Sequence, residues 1–507
     1  MIRLLSIALL AWLSAAAITA RAADREAAAA ALFDRVSSDP ARLRVFLKAM
    51  PKGADLHNHV DGSPYAEAYL DWAGRKGLCI DRAALSITDP PCTAPDRVPA
   101  AGLILADPVL EQRMIDALSV RGWTEGVGRD TASGHDRMFG AFARFLAVAR
   151  LVPGSSVAEV RRVAALDHVS YLELMYNPLG INRFALTTRD AAWNDTDLEG
   201  AFARLQPLLP ELLASARRET DATDAAARVA LGCATGSAEA GCAVQYRYIG
   251  YGLRLLPPPQ LFRQLAVLFA LADADPRYVG VNLVQPEDDP VAITQYRLAM
   301  RMVAFLATRY PKVHRSWHAG ELTLGLVPPE ALADHIAQAV GEGRAERIGH
   351  GTDIAYETDA TATLARMARD HVDVEINLAS NDVILGVRGA EHPLRLYLAA
   401  GVPVTLSTDD EGVLRTDMTD QYVRAARAHA LSYRDLKRLA RASLEYAFLP
   451  GDSLWVGRQP GDPVPACRDL TSASCARLAS GSPKASLQRD LELRLVAFET
   501  EIVRQRF

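Results

Sequence analysis

Four short segments hold residues whose types and spacing could do chemistry together. In His57-Asn58-His59 the two imidazoles are two residues apart in a segment that follows a short apolar run. Residues i and i+2 of a strand point to the same side, so both rings can face one metal ion while Asn58 points away. His318-Ala319-Gly320-Glu321 sets a carboxylate three residues beyond a histidine, a pairing that suits a Lewis acid with a proton carrier beside it. His350 stands between Gly349 and Gly351, where the chain can turn tightly. Ser407-Thr408-Asp409-Asp410 ends an apolar run in two adjacent acids, which diverge in extended chain and so serve different tasks. Taken singly, each segment also suits a structural role, as loop histidines, a helix first turn, a turn or an Asp-rich cap.

The elements that position these residues follow a barrel rhythm. Apolar runs read as strands at Ala54 to His57, Ser170 to Tyr176, Tyr246 to Leu253 and Tyr278 to Val284. Four more follow at Val313 to His318, Arg347 to Gly349, Val372 to Asn377 and Val402 to Ser407, with helical patterns such as Val291 to Thr308 and Leu394 to Ala400 between. Eight alternations predict an α/β fold, a (β/α)8 TIM barrel; an open doubly wound sheet shares the rhythm. In a barrel, the ends of strands one, five, six and eight meet at one face. His57, His59, His318 and Asp409 then form a nitrogen and oxygen donor set for one zinc ion, or for another divalent metal.

Composition bounds the rest. Of 507 residues, 50% are hydrophobic and 23% charged, which suits a soluble globular chain with an ample core. The net charge of −5, with no basic block, argues against a nucleic-acid partner. Arg3, the apolar run Leu4 to Ile18 and Ala20-Arg21-Ala22 read as a signal peptide over residues 1–22, with a mature start at Ala23. An uncleaved anchor is the alternative, and nothing else is apolar enough to hold the mature chain in a membrane. Six cysteines in three local pairs, Cys79 with Cys92, Cys233 with Cys242 and Cys467 with Cys475, agree with export to a periplasm or the exterior. Residues 23–50 read as one Ala-rich helical segment that packs on the barrel or on a partner chain. Residues 51–450 read as the barrel, with a Pro-, Gly- and Asp-rich insertion at about 74–131 after the first strand. Residues 451–507 read as a C-terminal extension with a disulfide and a helix.

Met50-Pro51-Lys52-Gly53-Ala54-Asp55-Leu56-His57-Asn58-His59-Val60-Asp61-Gly62, His318-Ala319-Gly320-Glu321, Gly349-His350-Gly351 and Ser407-Thr408-Asp409-Asp410 resemble the adenosine deaminase family of metal-dependent amidohydrolases, in the family's order. The signal peptide, the insertion and the Met-Pro-Lys-Gly opening resemble its secreted growth factor branch, which implies a homodimer. The resemblance implies zinc on His57, His59, His318 and Asp409. It implies that Glu321 protonates purine N1, that His350 orients the attacking water and helps deprotonate it, that Asp410 faces N7 and that Asp61 bonds a ribose hydroxyl. The implied reaction is deamination of adenosine or deoxyadenosine to inosine or deoxyinosine and ammonia. A modified aminopurine nucleoside as substrate, or a nucleoside-binding protein without turnover, are the alternatives. The zinc deaminase design built on H-x-E with P-C-x-x-C is absent, as is H-E-x-x-H.

One position departs from the family pattern. Gln285, followed by Pro286, stands where a glycine normally offers its N–H to the purine, so added bulk is expected there. Gln285 and Glu287 are the candidate substrate contacts of this segment. His135 is read as pocket wall or helix face, Glu173 as a buried ion-pair partner and His392 as a helix start.

Overall fold

The computed structural model describes residues 24–123, 132–187, 192–236 and 238–505. The proposed signal peptide and residues 124–131 of the insertion therefore lie outside the described residues.

Eight strands run in parallel: β1 (Gly53–His59), β2 (Val169–Met175), β3 (Gln245–Leu253), β4 (Tyr278–Val284), β5 (His314–Ala319), β6 (Arg347–His350), β7 (Asp373–Ile376) and β8 (Val404–Leu406). Each pairs with its neighbours in chain order. A parallel bridge between Asn58 and Asp409 brings the last strand's end back to the first, leaving a nearly closed (β/α)8 barrel. Strands such as β2 and β7 are buried along their whole length, as parallel strands covered by helices must be. This is why near-continuous apolar runs marked them in the sequence. The covering helices start on local signals. Pro290–Arg309 has proline at its first turn and Asp289 capping Val291 N–H.

Polar side chains cross the inside of the barrel. Arg347 bonds Glu173 at 2.7 Å and Glu375 at 2.5 Å, and its guanidinium lies 3.7 Å from the centre of the Phe448 ring. All three partners in the ion pairs are buried, so each charge depends on the others to offset its desolvation.

The chain between β1 and β2 is far longer than a barrel turn. It holds a three-stranded antiparallel sheet of Ser86–Thr88, Cys79–Asp81 and Arg97–Pro99, stapled by the Cys79–Cys92 disulfide. The helix Gly134–Ala149 follows and faces the catalytic end of the barrel with Met138, Phe139 and Phe142. The other two cysteine pairs also close as Cys233–Cys242 and Cys467–Cys475.

The N-terminal segment differs from the single helix expected. It forms one helix over 24–36 and a second over Pro40–Ala49, because Asp39 caps a new first turn that opens with Pro40. These helices pack against the body of their own chain. Phe33 and Phe46 are buried in edge contact at 5.6 Å, and Phe46 meets Phe498 of the long C-terminal helix Pro483–Ile502. The C-terminal stretch is thereby part of the main core rather than an appendage. No described helix is long and apolar enough to cross a membrane.

Candidate active site

The strand ends carry the residues that sequence spacing singled out. His57 and His59 close β1, and His318 stands one residue before the end of β5. His350 closes β6, and Asp409 follows β8. Two backbone bonds, Asp409 N–H to His57 O at 2.9 Å and His59 N–H to Asp409 O at 3.2 Å, lock the aspartate beside the two histidines. His350 and Asp409 both have positive φ, +70° and +63°. Neither residue is glycine, and such strained backbone persists only where the surroundings enforce it.

The donor set fits a divalent cation. Nε2 of His59 lies 3.2 Å from Nε2 of His318 and 3.2 Å from an Asp409 oxygen. Two ligands at ~2.0–2.1 Å from a tetrahedral zinc stand ~3.3 Å apart. His57 Nε2 is buried, has no hydrogen-bond partner and lies 3.6 Å from the same aspartate. His57, His318, His350 and Asp409 all offer atoms within 4.8 Å of one another.

The partners behind the rings explain which nitrogen faces inward. His57 Nδ1 donates to Glu375 at 2.7 Å, and Glu375 is held in turn by Arg347 and by Ser316 Oγ at 2.8 Å. His318 Nδ1 donates at 2.9 Å to Asn282 Oδ1, an oxygen that also accepts the backbone N–H groups of His318 and Leu283. An acceptor behind Nδ1 places the proton there and leaves Nε2 as a lone pair for a metal. Burial works against charge on His57, yet Asp409 and Glu375 outweigh it and hold the ring's pKa up at about 10. Two buried carboxylates thus make this a point that favours positive charge. Gly349 is required here, since a Cβ would come within 2.6 Å of the His57 ring.

Two acids face the donors. Glu321 is buried, and its carboxyl is held well above the usual range by burial, reinforced by the charges of Asp409 and Glu287. One of its oxygens lies 3.6 Å from His350 Nε2. Asp410 is raised in the same way, first by burial and then by Asp409, and its Oδ1 is buried without a partner. Burial brings Asp61 up to about 6 and His350 down to about 3. Gly62 lets Asp410 approach, because a Cβ there would overlap its carboxylate.

These groups form the floor of a cavity of about 510 Å³, lined by His59, Asp61, His318, Glu321, His350 and both aspartates. Its outer wall is mostly apolar, with Phe142, Leu146, Pro153 and Leu253 among the contributors. His135 stands beside that wall rather than in it, bonded to Asp288 at 3.1 Å.

Of the two candidate substrate contacts in this segment, Gln285 lines the cavity. Its φ of +85° is the conformation a glycine would adopt, and its side-chain oxygen turns aside to accept Leu255 N–H at 3.0 Å. Glu287, the other candidate, is not among the residues that line the cavity. Its two oxygens are taken by His335 Nδ1 at 2.7 Å and by the Glu321 backbone N–H at 2.9 Å, so it braces Glu321 from behind. Glu173 pairs with Arg347, as an inward acid on β2 should.

Sequence reasoning missed Glu375, Asn282 and Asn381. Glu375 had a visible signal. Asp373, Glu375 and Asn377 alternate through an otherwise apolar strand, which puts three polar groups on the inward face.

Comparison with known proteins agrees with this arrangement. The family described as Adenosine deaminase matches residues 201–454, just over half of the chain, a span that begins after His57 and His59. The aminodeoxyfutalosine deaminase of Streptomyces coelicolor is 38% identical over 138 residues, 27% of this chain and 33% of that protein. The adenine deaminase of Sinorhizobium medicae is 30% identical over 42% of this chain and 60% of its own length. The adenosine deaminase of Escherichia coli (strain SMS-3-5 / SECEC) is 34% identical over 27% and 39%. The chain thus spans about a third of the length of the first curated relatives it matches. Among solved structures, a zinc-bound amidohydrolase from Burkholderia ambifaria superposes with a TM-score of 0.53 at 17% identity, covering 90% of this chain and 95% of that one. An adenine deaminase from Arthrobacter aurescens gives 0.50 at 17% identity, covering 90% and 100%, and both share the fold. The family match, over a span that carries His318, Glu321, His350 and both aspartates to one barrel mouth, places this chain in the adenosine deaminase family.

Proposed function

We propose that this chain is a zinc-dependent purine nucleoside deaminase that converts adenosine or deoxyadenosine to the 6-oxo nucleoside and ammonia. The observation that carries the reading is Glu321. Its buried carboxyl, pushed well above the usual range by burial and by the charges of Asp409 and Glu287, shares one cavity floor with the candidate metal ligands and lies 3.6 Å from His350 Nε2. Binding alone needs no such proton carrier, which disfavours a nucleoside-binding role without turnover.

Zinc on His57, His59, His318 and Asp409 would supply a water acidified to a pKa near ~7 as the nucleophile. The residues of the chain do the rest. Glu321 gives its proton to ring nitrogen N1 as C6 becomes tetrahedral, which relieves the loss of aromaticity. Asp410, whose carboxyl is pushed up by burial and by the charge of Asp409, would donate to N7, an acceptor. Asp61 on the cavity wall can accept from a ribose hydroxyl. Burial of the floor groups excludes bulk water, so each of these bonds counts for more than it would in solution.

A second reading, a deaminase of a modified aminopurine nucleoside, draws support from the apolar outer wall. The outer polar groups already have partners: Tyr176 bonds Thr223 at 2.9 Å, and Asn177 bonds the Tyr251 backbone. Export belongs to the same proposal, supported by three disulfides, which persist in oxidising compartments.

The test is a spectrophotometric panel of adenosine, deoxyadenosine, adenine and N6-substituted adenosines with the zinc-loaded protein. Turnover of adenosine or deoxyadenosine supports the first reading, and turnover of an N6-substituted nucleoside alone supports the second. No turnover with zinc bound would overturn both.

A further inference from the structure

Behind His350 lies a chain of hydrogen bonds whose direction is set by a group that cannot titrate. The backbone N–H of Leu394 donates to His392 Nδ1 at 3.1 Å. An amide N–H has no other role, so His392 Nδ1 accepts, and the neutral ring carries its proton on Nε2. His392 Nε2 in turn lies 3.0 Å from Asn381 Oδ1. With its oxygen engaged as acceptor, Asn381 turns its NH2 to His350 Nδ1, at 3.0 Å. Asn377 Nδ2 faces the same nitrogen at 3.5 Å. His350, Asn381 and His392 are all buried, so water does not compete.

The contrast with the metal-ligand rings is the key. Acceptors stand behind His57 and His318, and these rings present lone pairs inward. Donors stand behind His350. We infer that His392 and Asn381 are positioning residues that fix His350 in the Nε2–H tautomer, so that it presents a proton donor rather than a lone pair to the reacting centre. Its Nε2 lies 3.6 Å from Glu321 Oε1 and 3.8 Å from Asp409 Oδ2 and has no partner of its own. A donor so placed holds the negatively charged oxygen of a hydroxide nucleophile in position for attack. It also keeps His350 out of the ligand set, since a protonated nitrogen cannot bind a metal. The inference rests on the proposed deaminase reading, yet its first test does not depend on turnover.

That test is 15N NMR of the zinc-loaded protein labelled at histidine, with His350 assigned by loss of its signals in His350→Gln. The expected spectrum has His350 protonated at Nε2 and bare at Nδ1. Asn381→Asp, which can only accept, is expected to move the proton to Nδ1, and to lower kcat by about tenfold or more while KM stays within about twofold. His392→Leu frees the Asn381 amide and is expected to lower kcat similarly. His392→Gln keeps a donor to Asn381 and is expected to restore both tautomer and rate. A wild-type His350 protonated at Nδ1 would overturn the inference even if every variant failed to fold. So would folded Asn381→Asp and His392→Leu proteins with tautomer and kcat both unchanged. A correct tautomer with no deamination of any nucleoside would sink the deaminase reading alone.

Discussion

In the proposed reaction Glu321 bears the heaviest chemical demand, because it has to be protonated at a pH where most carboxyls are not. Burial and the charges of Asp409 and Glu287 raise its pKa, so the active form exists below that raised value and is lost as pH climbs through it. The expected kcat/KM profile therefore has a basic limb, and Glu321→Gln abolishes that limb while lowering kcat by about 10²–10⁴-fold with zinc retained. A variant that stays fast, or a basic limb that survives it, would remove Glu321 from the proton-donor role. Gln285 allows a second check. Because its side chain is tied back to Leu255, Gln285→Gly is expected to leave KM for adenosine within about threefold. A tenfold change would show that the side chain itself reads the substrate. The ligand candidates were legible because each sits in a short motif at a strand end. Asn282 and Asn381 were not, because each meets its histidine from a different strand or helix, and Glu375 showed only as a polar residue alternating through an apolar strand, with nothing local to tie it to His57.

Strands and helices were more legible than their joints. Buried parallel strands announce themselves as apolar runs, and the eight read from sequence match the eight observed to within about three residues at each end. The N-terminal break was missed because residues that favour a helix continue on both sides of Ser38-Asp39-Pro40, the stop and the new start. The direction of the Gln285 side chain was not legible because it depends on the Leu255 N–H of a neighbouring turn, which composition does not disclose. At this scale the barrel's inner ion pairs give a stability test. Arg347→Ala leaves Glu173 and Glu375 buried without their cation, and it is expected to destabilise by about 3–5 kcal/mol in urea unfolding. It is also expected to weaken metal binding, since Glu375 orients His57. A loss below about 1 kcal/mol would show that these inner ion pairs are not a main support of the barrel.

The whole molecule combines a family barrel, a helix Gly134–Ala149 that helps wall its mouth, three disulfide staples and a core that draws in both described chain ends. The proposed export is expected to yield a mature protein beginning at Ala23 with no titratable thiol in the folded state. N-terminal sequencing and thiol counting read both, and an intact Met1 with several free thiols would argue for retention in the cytoplasm. The most direct measurement of the account is ammonia release from adenosine by metal-stripped protein before and after one equivalent of zinc, beside Glu321→Gln treated alike. The account expects no ammonia from the stripped protein, equimolar inosine and ammonia once zinc is restored, and almost none from the variant. Zinc bound at one equivalent with neither product formed from adenosine or deoxyadenosine would contradict it.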